Sequence, residues 1–91
     1  MSQPILILKG TEAAAGASSG AASNVGSARI VRCVNSGATA RLVTLEESGG
    51  TDIGTLTVAG GESVMIRKDA TDKIFAADAE ILLTAVGVWS G

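Results

Sequence analysis

Short runs of β-forming residues, separated by turn-forming residues at nearly regular intervals, place the strongest constraint on the fold of this chain. Turn signals stand at residues 35–37 (Asn-Ser-Gly), 48–52 (Ser-Gly-Gly-Thr-Asp), 59–61 (Ala-Gly-Gly) and 68–72 (Lys-Asp-Ala-Thr-Asp). Turns about 8–12 residues apart are typical of all-β sandwiches and barrels. The Gly-Gly pair predicts a two-residue hairpin turn, because glycine tolerates the positive φ that such turns require.

The runs between these turns have the pattern of strands. In residues 54–59, Leu56 and Val58 alternate with two threonines, which gives one apolar face and one hydroxyl face. Residues 80–89 are apolar almost without a break, which predicts a strand covered on both faces. Residues 4–9 are predicted to form the first strand. We therefore predict a single all-β domain over residues 1–91, a small antiparallel β-sandwich or barrel of about six or seven strands.

Residues 10–28 differ from the rest of the chain, since 15 of these 19 residues are Ala, Gly or Ser. A helix is disfavoured here because Gly16 and Gly20 would each cost it about 1 kcal/mol relative to alanine. The segment is predicted to be an irregular N-terminal arm or long loop. Its small side chains let backbones approach closely, so we expect the arm to lie against a neighbouring subunit.

The composition excludes several classes of activity. The chain has no histidine, which is the usual general base and zinc ligand, and its one cysteine, Cys33, can form no internal disulfide. Cys33 is predicted to be a buried, inert thiol. Asp69 and Asp72 resemble part of a calcium loop, but further acidic ligands and a closing glutamate are missing. We predict no catalytic activity, no cofactor and no bound metal.

Charge and hydropathy indicate which partners to expect. The formal net charge of −2 disfavours a nucleic-acid or anionic-membrane partner, because binding to phosphates needs clustered Lys and Arg. No apolar run approaches the roughly 18 residues of a membrane span, and the order of residues 4–9 is opposite to that of a secretory signal. Charged residues are only 18% of the chain and aromatic residues only 2%, so the core is thin and some apolar surface is expected to be covered by another chain.

Five residues are candidates for contacts with a partner: Trp89, Phe75, Arg29, Arg41 and Arg67. Trp89 could cap the core or anchor the C-terminal region on a partner subunit, where Trp is enriched at energetic hot spots. The arginines could pair with nearby carboxylates across strands, or they could form ion pairs between subunits.

The sequence as a whole resembles a known class of protein. The segments PILILKGT, ARIVRCVNSGATARLVTLE, GTLTVAGGESVMIRKDATDKIFA and ILLTAVGVW, with the Ala/Gly/Ser-rich arm, are similar to small virion structural proteins of tailed bacteriophages, especially cyanophages. The resemblance spans most of the chain and rests on general β-sandwich features. It implies a non-enzymatic virion protein that is made in the host cytoplasm, foremost a capsid decoration (cement) protein that stabilises the capsid lattice.

For such a protein we expect a homo-oligomer, a trimer, that binds the major capsid protein or other virion proteins. Residues 10–28 and Trp89 would make the contacts between subunits. Two alternatives remain open at this point. The chain could belong to the tail, neck or fibre of the particle, or it could be a module that binds a carbohydrate or host-surface ligand, although a sugar-binding platform normally needs more aromatic residues than Phe75 and Trp89.

Overall fold

Residues 5–89 form eight β-strands in the computed structural model, which describes these residues and, for Trp89, the backbone alone. The strands are β1 (Ile5–Leu8), β2 (Ala13–Ala14), β3 (Ile30–Asn35), β4 (Arg41–Glu46), β5 (Asp52–Val58), β6 (Ser63–Arg67), β7 (Lys73–Ala76) and β8 (Ile81–Trp89). Sheet 1 has the order β1-β8-β3-β6, with β2 also paired to β8, and sheet 2 has the order β5-β4-β7. All pairings are antiparallel. The all-β prediction is confirmed, and the two sheets are arranged like a small β-sandwich.

Alternate residues of the strands form the core between the two sheets. Sheet 1 contributes Val31 and Cys33 from β3 and Ile81 and Leu83 from β8. Sheet 2 and the arm contribute Val43, Val58, Ile74, Ala76 and Ala15 to the same cluster. Because a buried Val or Ile contributes about 1.5–3 kcal/mol and none of the core side chains that the structure describes is aromatic, the stabilisation comes from many small contributions.

The glycine turn at residues 59–61 connects the two sheets. The N–H of Glu62 donates to the carbonyl of Ala59 at 2.9 Å, and Gly61 has φ of 77°, as the sequence predicts for a tight turn. However, β5 pairs with β4 in sheet 2, whereas β6 pairs with β3 in sheet 1. The predicted hairpin is therefore wrong. Turn residues determine where the chain reverses, but not which sheet the next strand joins.

The arm at residues 10–28 is part of the sandwich. The N–H of Ala15 extends the pairing of β2 with β8 by donating to Ile81 at 2.8 Å. The chain then crosses to sheet 2, where the carbonyl of Gly16 accepts from Ala76 at 2.9 Å and Ser23 exchanges two backbone hydrogen bonds with Ile74. A 3-10 turn at Ser19–Ala21 lies between these contacts. The arm thus joins an edge of sheet 1 to an edge of sheet 2, with more regular structure than the sequence predicted.

A buried asparagine fixes the relation of β3 to sheet 2. The Nδ2 of Asn35 donates to the carbonyls of Thr39 and Val58 at 2.7 and 2.9 Å, and its Oδ1 accepts from the N–H of Gly37 at 2.9 Å. Asn35 has no exposed surface. Since buried amide groups are costly unless they are paired, these three bonds hold the loop at residues 36–40 and the end of β5 in place.

Candidate interaction surface

Strand β1 carries exposed apolar side chains on both of its faces. Ile5, Leu6, Ile7 and Leu8 are 56%, 38%, 45% and 73% exposed, and Val88 in the neighbouring β8 is 41% exposed. Successive side chains of a strand point to opposite faces, so exposure of all four residues leaves both faces open at this edge. Single exposed apolar residues are ordinary on protein surfaces, but a contiguous group marks a site of contact. We call these five residues the β1 surface.

The register of β8 explains why this surface is open. The core side chains of β8 come from its first half, Ile81 and Leu83, whereas β1 pairs with its second half from Leu8↔Val86 to Ile5↔Trp89. Ala85 and Val86 are still buried, but Gly87 is partly exposed and Val88 is exposed. The strand was predicted to be covered on both faces, and the structure agrees only for its first six residues, among which Leu82 is partly exposed. The last part of β8 and all of β1 extend beyond the core.

The outer edge of β1 is also unpaired within the described part of the chain, since β8 is the one strand that β1 pairs with there. Edge strands are usually protected against pairing by charged residues, proline or a bulge. None of these occurs between Ile5 and Leu8, and the first charged residue is Lys9. The surface therefore combines apolar side chains with free backbone donors and acceptors.

A groove of about 460 Å³ lies beside the β1 surface and carries two cations, Lys9 and Arg29. Part of its wall is a turn in which Val25, Gly26 and Ser27 all have left-handed backbone angles, with φ of 55°, 66° and 59°. This conformation costs non-glycine residues about 1–2 kcal/mol each. The N–H of Val25 donates to the Oγ of Ser23 at 2.9 Å, which helps to hold the turn.

The predicted partner residues lie on both sheets: Arg29 and Arg67 are neighbours where β3 pairs with β6, whereas Arg41 and Phe75 lie on β4 and β7. Arg29 lies exposed just before β3, and Arg67 is exposed at the end of β6. Phe75 is half-buried on β7, in register with Thr44 in sheet 2. The side chain of Trp89 is outside the described residues, so its predicted role as a cap or anchor lies beyond what the structure describes.

Arg41 is engaged within its own chain. Its Nη2 and Nε lie 2.7 and 3.1 Å from Oε1 of Glu80, and Asp78 lies 3.6 Å from Nη2. The Arg41 side chain is 29% exposed and each carboxylate side chain 37%. The structure therefore contains an ion pair within the chain, but Asp78 and Glu80 lie in the turn before β8 and not on a strand paired with β4, so the predicted pairing across strands is not what forms.

The thiol of Cys33 and the charged side chains of the turn at residues 68–72 take part in the packing and hydrogen bonding of the fold. Cys33 is fully buried, as predicted, and burial raises the pKa of its thiol to about 11, so the thiol is protonated at neutral pH. In the turn at residues 68–72, the Nζ of Lys68 donates to the carbonyl of Asp69 at 3.1 Å, and the N–H of Asp69 donates to Oδ2 of Asp72 at 3.1 Å. Burial lowers the pKa of Lys68, and the charges of Asp72 and Asp69 oppose that shift. Residues 5–89 contain no group of three or more potential metal-ligating acidic or cysteine side chains.

The sequence predicts the strand at residues 4–9 but not the exposure of its side chains on both faces. Two features of the sequence together indicate this exposure: the apolar run of five residues at positions 4–8, and the low charge and thin core of the chain as a whole. Periodicity alone cannot distinguish a strand buried within its own domain from one that another chain covers.

Comparison of the chain with protein-family models, with curated proteins and with solved structures gives no significant match. Across residues 5–89, no helix has the length and apolar character needed to cross a membrane. The interaction surface therefore has to be interpreted from its own geometry.

Proposed function

We propose that this chain is a non-enzymatic structural subunit of a tailed-bacteriophage particle, foremost a capsid decoration protein that binds the capsid lattice as a homo-oligomer. The observation that carries the proposal is the β1 surface, with its five exposed apolar side chains and its unpaired edge within residues 5–89. A small domain with a thin core gains stability when another subunit covers such a surface.

The buried polar groups support a structural role. The amide of Asn35 and the carboxylate of Glu46 are each bonded to groups of their own chain. They are used to hold loops and sheets together, and Cys33 is shielded in the core. An architecture of this kind suits a subunit that presents a surface to its neighbours.

The resemblance to small virion proteins supports the phage particle as the site of action, with the major capsid protein as the partner and a trimer as the expected oligomer. The test is co-sedimentation of the purified chain with capsids assembled from the major capsid protein encoded in the same genome. Saturable binding is the expected result. Absence of binding by the wild-type chain at any ratio would refute the decoration role.

Two variants make this test specific to the β1 surface. Leu8→Lys places a charge on a side chain that is 73% exposed, and Met65→Lys does the same at a residue 46% exposed on β6. We expect Leu8→Lys to lower capsid occupancy at least tenfold, because subunits that no longer associate bind singly and lose avidity. Met65→Lys should bind as the wild type does.

A role in the tail or neck is the second candidate, because sheet 1 ends in β6 opposite β1 and no described strand pairs with the outer edge of β6. Pairing of β1 in one subunit with β6 in the next would close a ring or extend a tube. Light scattering distinguishes the two roles: a trimer favours decoration of the capsid, whereas a hexamer or open polymer favours the tail.

A further inference from the structure

We propose that two copies of this chain pair through β1, antiparallel about a two-fold axis, so that one continuous sheet runs through both molecules. This contact goes beyond the proposed function, since it joins two chains whatever particle they enter. A trimer would need an additional contact elsewhere on the domain.

The backbone groups of β1 point alternately to β8 and to the outer edge of the sheet. The N–H of Lys9 donates to the carbonyl of Ala85 at 2.9 Å, which shows that Lys9 faces β8. Alternate residues of an antiparallel strand direct both backbone groups to the same neighbour. Ile5 and Ile7 therefore face β8 as well, while Leu6 and Leu8 direct their N–H and C=O groups to the outer edge.

One register between two copies uses all of the outward-facing backbone groups. If Leu6 pairs with Leu8 of a second copy, symmetry creates the reciprocal pair, and all four outward-facing residues of the two strands form backbone hydrogen bonds. A register centred on Leu6 would place Leu8 opposite Pro4, which has no N–H. A register centred on Leu8 would place Leu6 opposite Gly10, beyond the end of β1. The Leu6–Leu8 register is therefore favoured.

The apolar side chains of β1 also match each other in this register. The sequence Ile-Leu-Ile-Leu is self-complementary in this register, because each Leu6 lies beside Leu8 of the second copy and Ile7 lies beside its own equivalent on the axis. Apolar side chains that lie opposite each other on neighbouring strands stabilise the pairing. Lys9 falls at the margin, opposite Ile5, so the centre of the contact contains no charge. These features identify a second copy of this chain as the occupant of the edge.

Disulfide cross-linking tests the register directly. Residues on the axis form a non-hydrogen-bonded pair with Cα atoms about 4.5 Å apart, which is within the range that a disulfide spans. The Ile7→Cys chain should form a covalent dimer under mild oxidation. The Leu6→Cys chain is the matched control on the same strand, because its counterpart across the axis is Leu8, and it should remain monomeric on a non-reducing gel. The wild-type chain, whose thiol at Cys33 is buried, checks the background.

Light scattering supplies the second readout. Pairing through β1 should give the wild-type chain an even number of subunits, with at least twice the mass of the 9.0-kDa monomer, whereas Leu8→Lys should halve the wild-type mass and Met65→Lys should leave it unchanged. A wild-type chain that is monomeric at every concentration or contains an odd number of subunits, cross-linking of Leu6→Cys as fast as Ile7→Cys, or dissociation caused by Met65→Lys would each overturn the pairing. A chain that dimerises in this way but does not bind capsids would contradict the proposed function alone.

Discussion

The hydroxyl of Ser19 donates to the carboxylate of Glu46, with Oγ 2.8 Å from Oε2 and 3.2 Å from Oε1. Glu46 ends β4 and is 1% exposed, so this bond places the 3-10 turn of the arm over a buried acid of sheet 2. The two residues are 27 positions apart in the sequence. Their contact is one of the points at which the Ala/Gly/Ser-rich arm becomes part of the domain.

Replacing Ser19 with alanine should lower the free energy of unfolding by about 1–3 kcal/mol, because the carboxylate of Glu46 loses a donor in a buried position. Ser18→Ala is the matched control, since the Ser18 side chain makes no capping hydrogen bond to the same turn. Urea denaturation followed by circular dichroism measures both. Equal stability of the two variants would show that the bond contributes nothing.

Gly16 is required by the close approach of two parts of the arm. A Cβ atom at Gly16 would overlap the backbone carbonyl oxygen of Ala21, whereas one at Gly54 would meet no atom within 4 Å. We expect Gly16→Ala to destabilise the domain by about 1–3 kcal/mol through overpacking, and Gly54→Ala to leave stability within about 0.5 kcal/mol. Thermal unfolding of the two variants gives the comparison, and an unchanged melting temperature for Gly16→Ala would contradict it.

Asn35→Asp should be among the most damaging substitutions of similar size. It replaces the amide that donates to Thr39 and Val58 with an oxygen that repels both carbonyls. We expect a loss of about 3 kcal/mol or more at neutral pH and a smaller loss at acidic pH, where the new carboxyl group is protonated. Asn24→Asp is the control, because Asn24 accepts through Oδ1 from the N–H of Ser27 and an aspartate preserves that acceptor.

The buried thiol of Cys33 gives stability a specific dependence on alkaline pH. Burial raises its pKa from 9.0 to about 11, so between these values the thiol ionises in the unfolded chain but not in the folded one. The resulting contribution is fully present below pH 9 and is lost as the pH rises towards 11, by up to about 2–3 kcal/mol.

The free energy of unfolding of the wild type and of Cys33→Ala should be measured below and above this pH window. Because Lys68 is present in both chains, the difference between them reports the contribution of the thiol. The alanine variant should lose less stability as the pH rises. Parallel pH profiles for the two chains would rule out a role for Cys33 in the alkaline loss.

Local sequence signals were sufficient for the strands but not for their partners. Alternation in β5 and the glycines after it located a strand and a turn, yet β5 and β6 belong to different sheets because long-range packing selects the pairing. The structure of the arm is not predictable from local signals, because its alanine, glycine and serine residues show no periodicity. Its hydrogen bonds to Ile81, Ile74 and Ala76 involve backbone atoms, which every residue type has. Removal of residues 2–28 would delete β1, β2 and the segment that joins an edge of sheet 1 to an edge of sheet 2. Point variants are therefore the better probes of the arm.

The candidate site shows the same limit. Arg41 was a reasonable choice for contact with a partner, but Glu80 reaches it across 39 positions of sequence. The apolar run in β1 was recognised as a strand, while its exposure depends on where the core ends along β8. That boundary is set by the lengths of both sheets together and is not encoded in any short segment.

The position of β8 also determines when the domain can form during synthesis. This strand lies between β1 and β3 in sheet 1, and Ala13 of β2 pairs with Leu83 of β8. However, β8 is the last of the eight strands to leave the ribosome. Until then β1 has neither its neighbour within the molecule nor a rigid edge to offer to a second copy. The proposed pairing of folded chains therefore requires translation of residues 81–89 to be complete, and until then the unpaired Ile-Leu-Ile-Leu segment exposes nascent chains to association with one another.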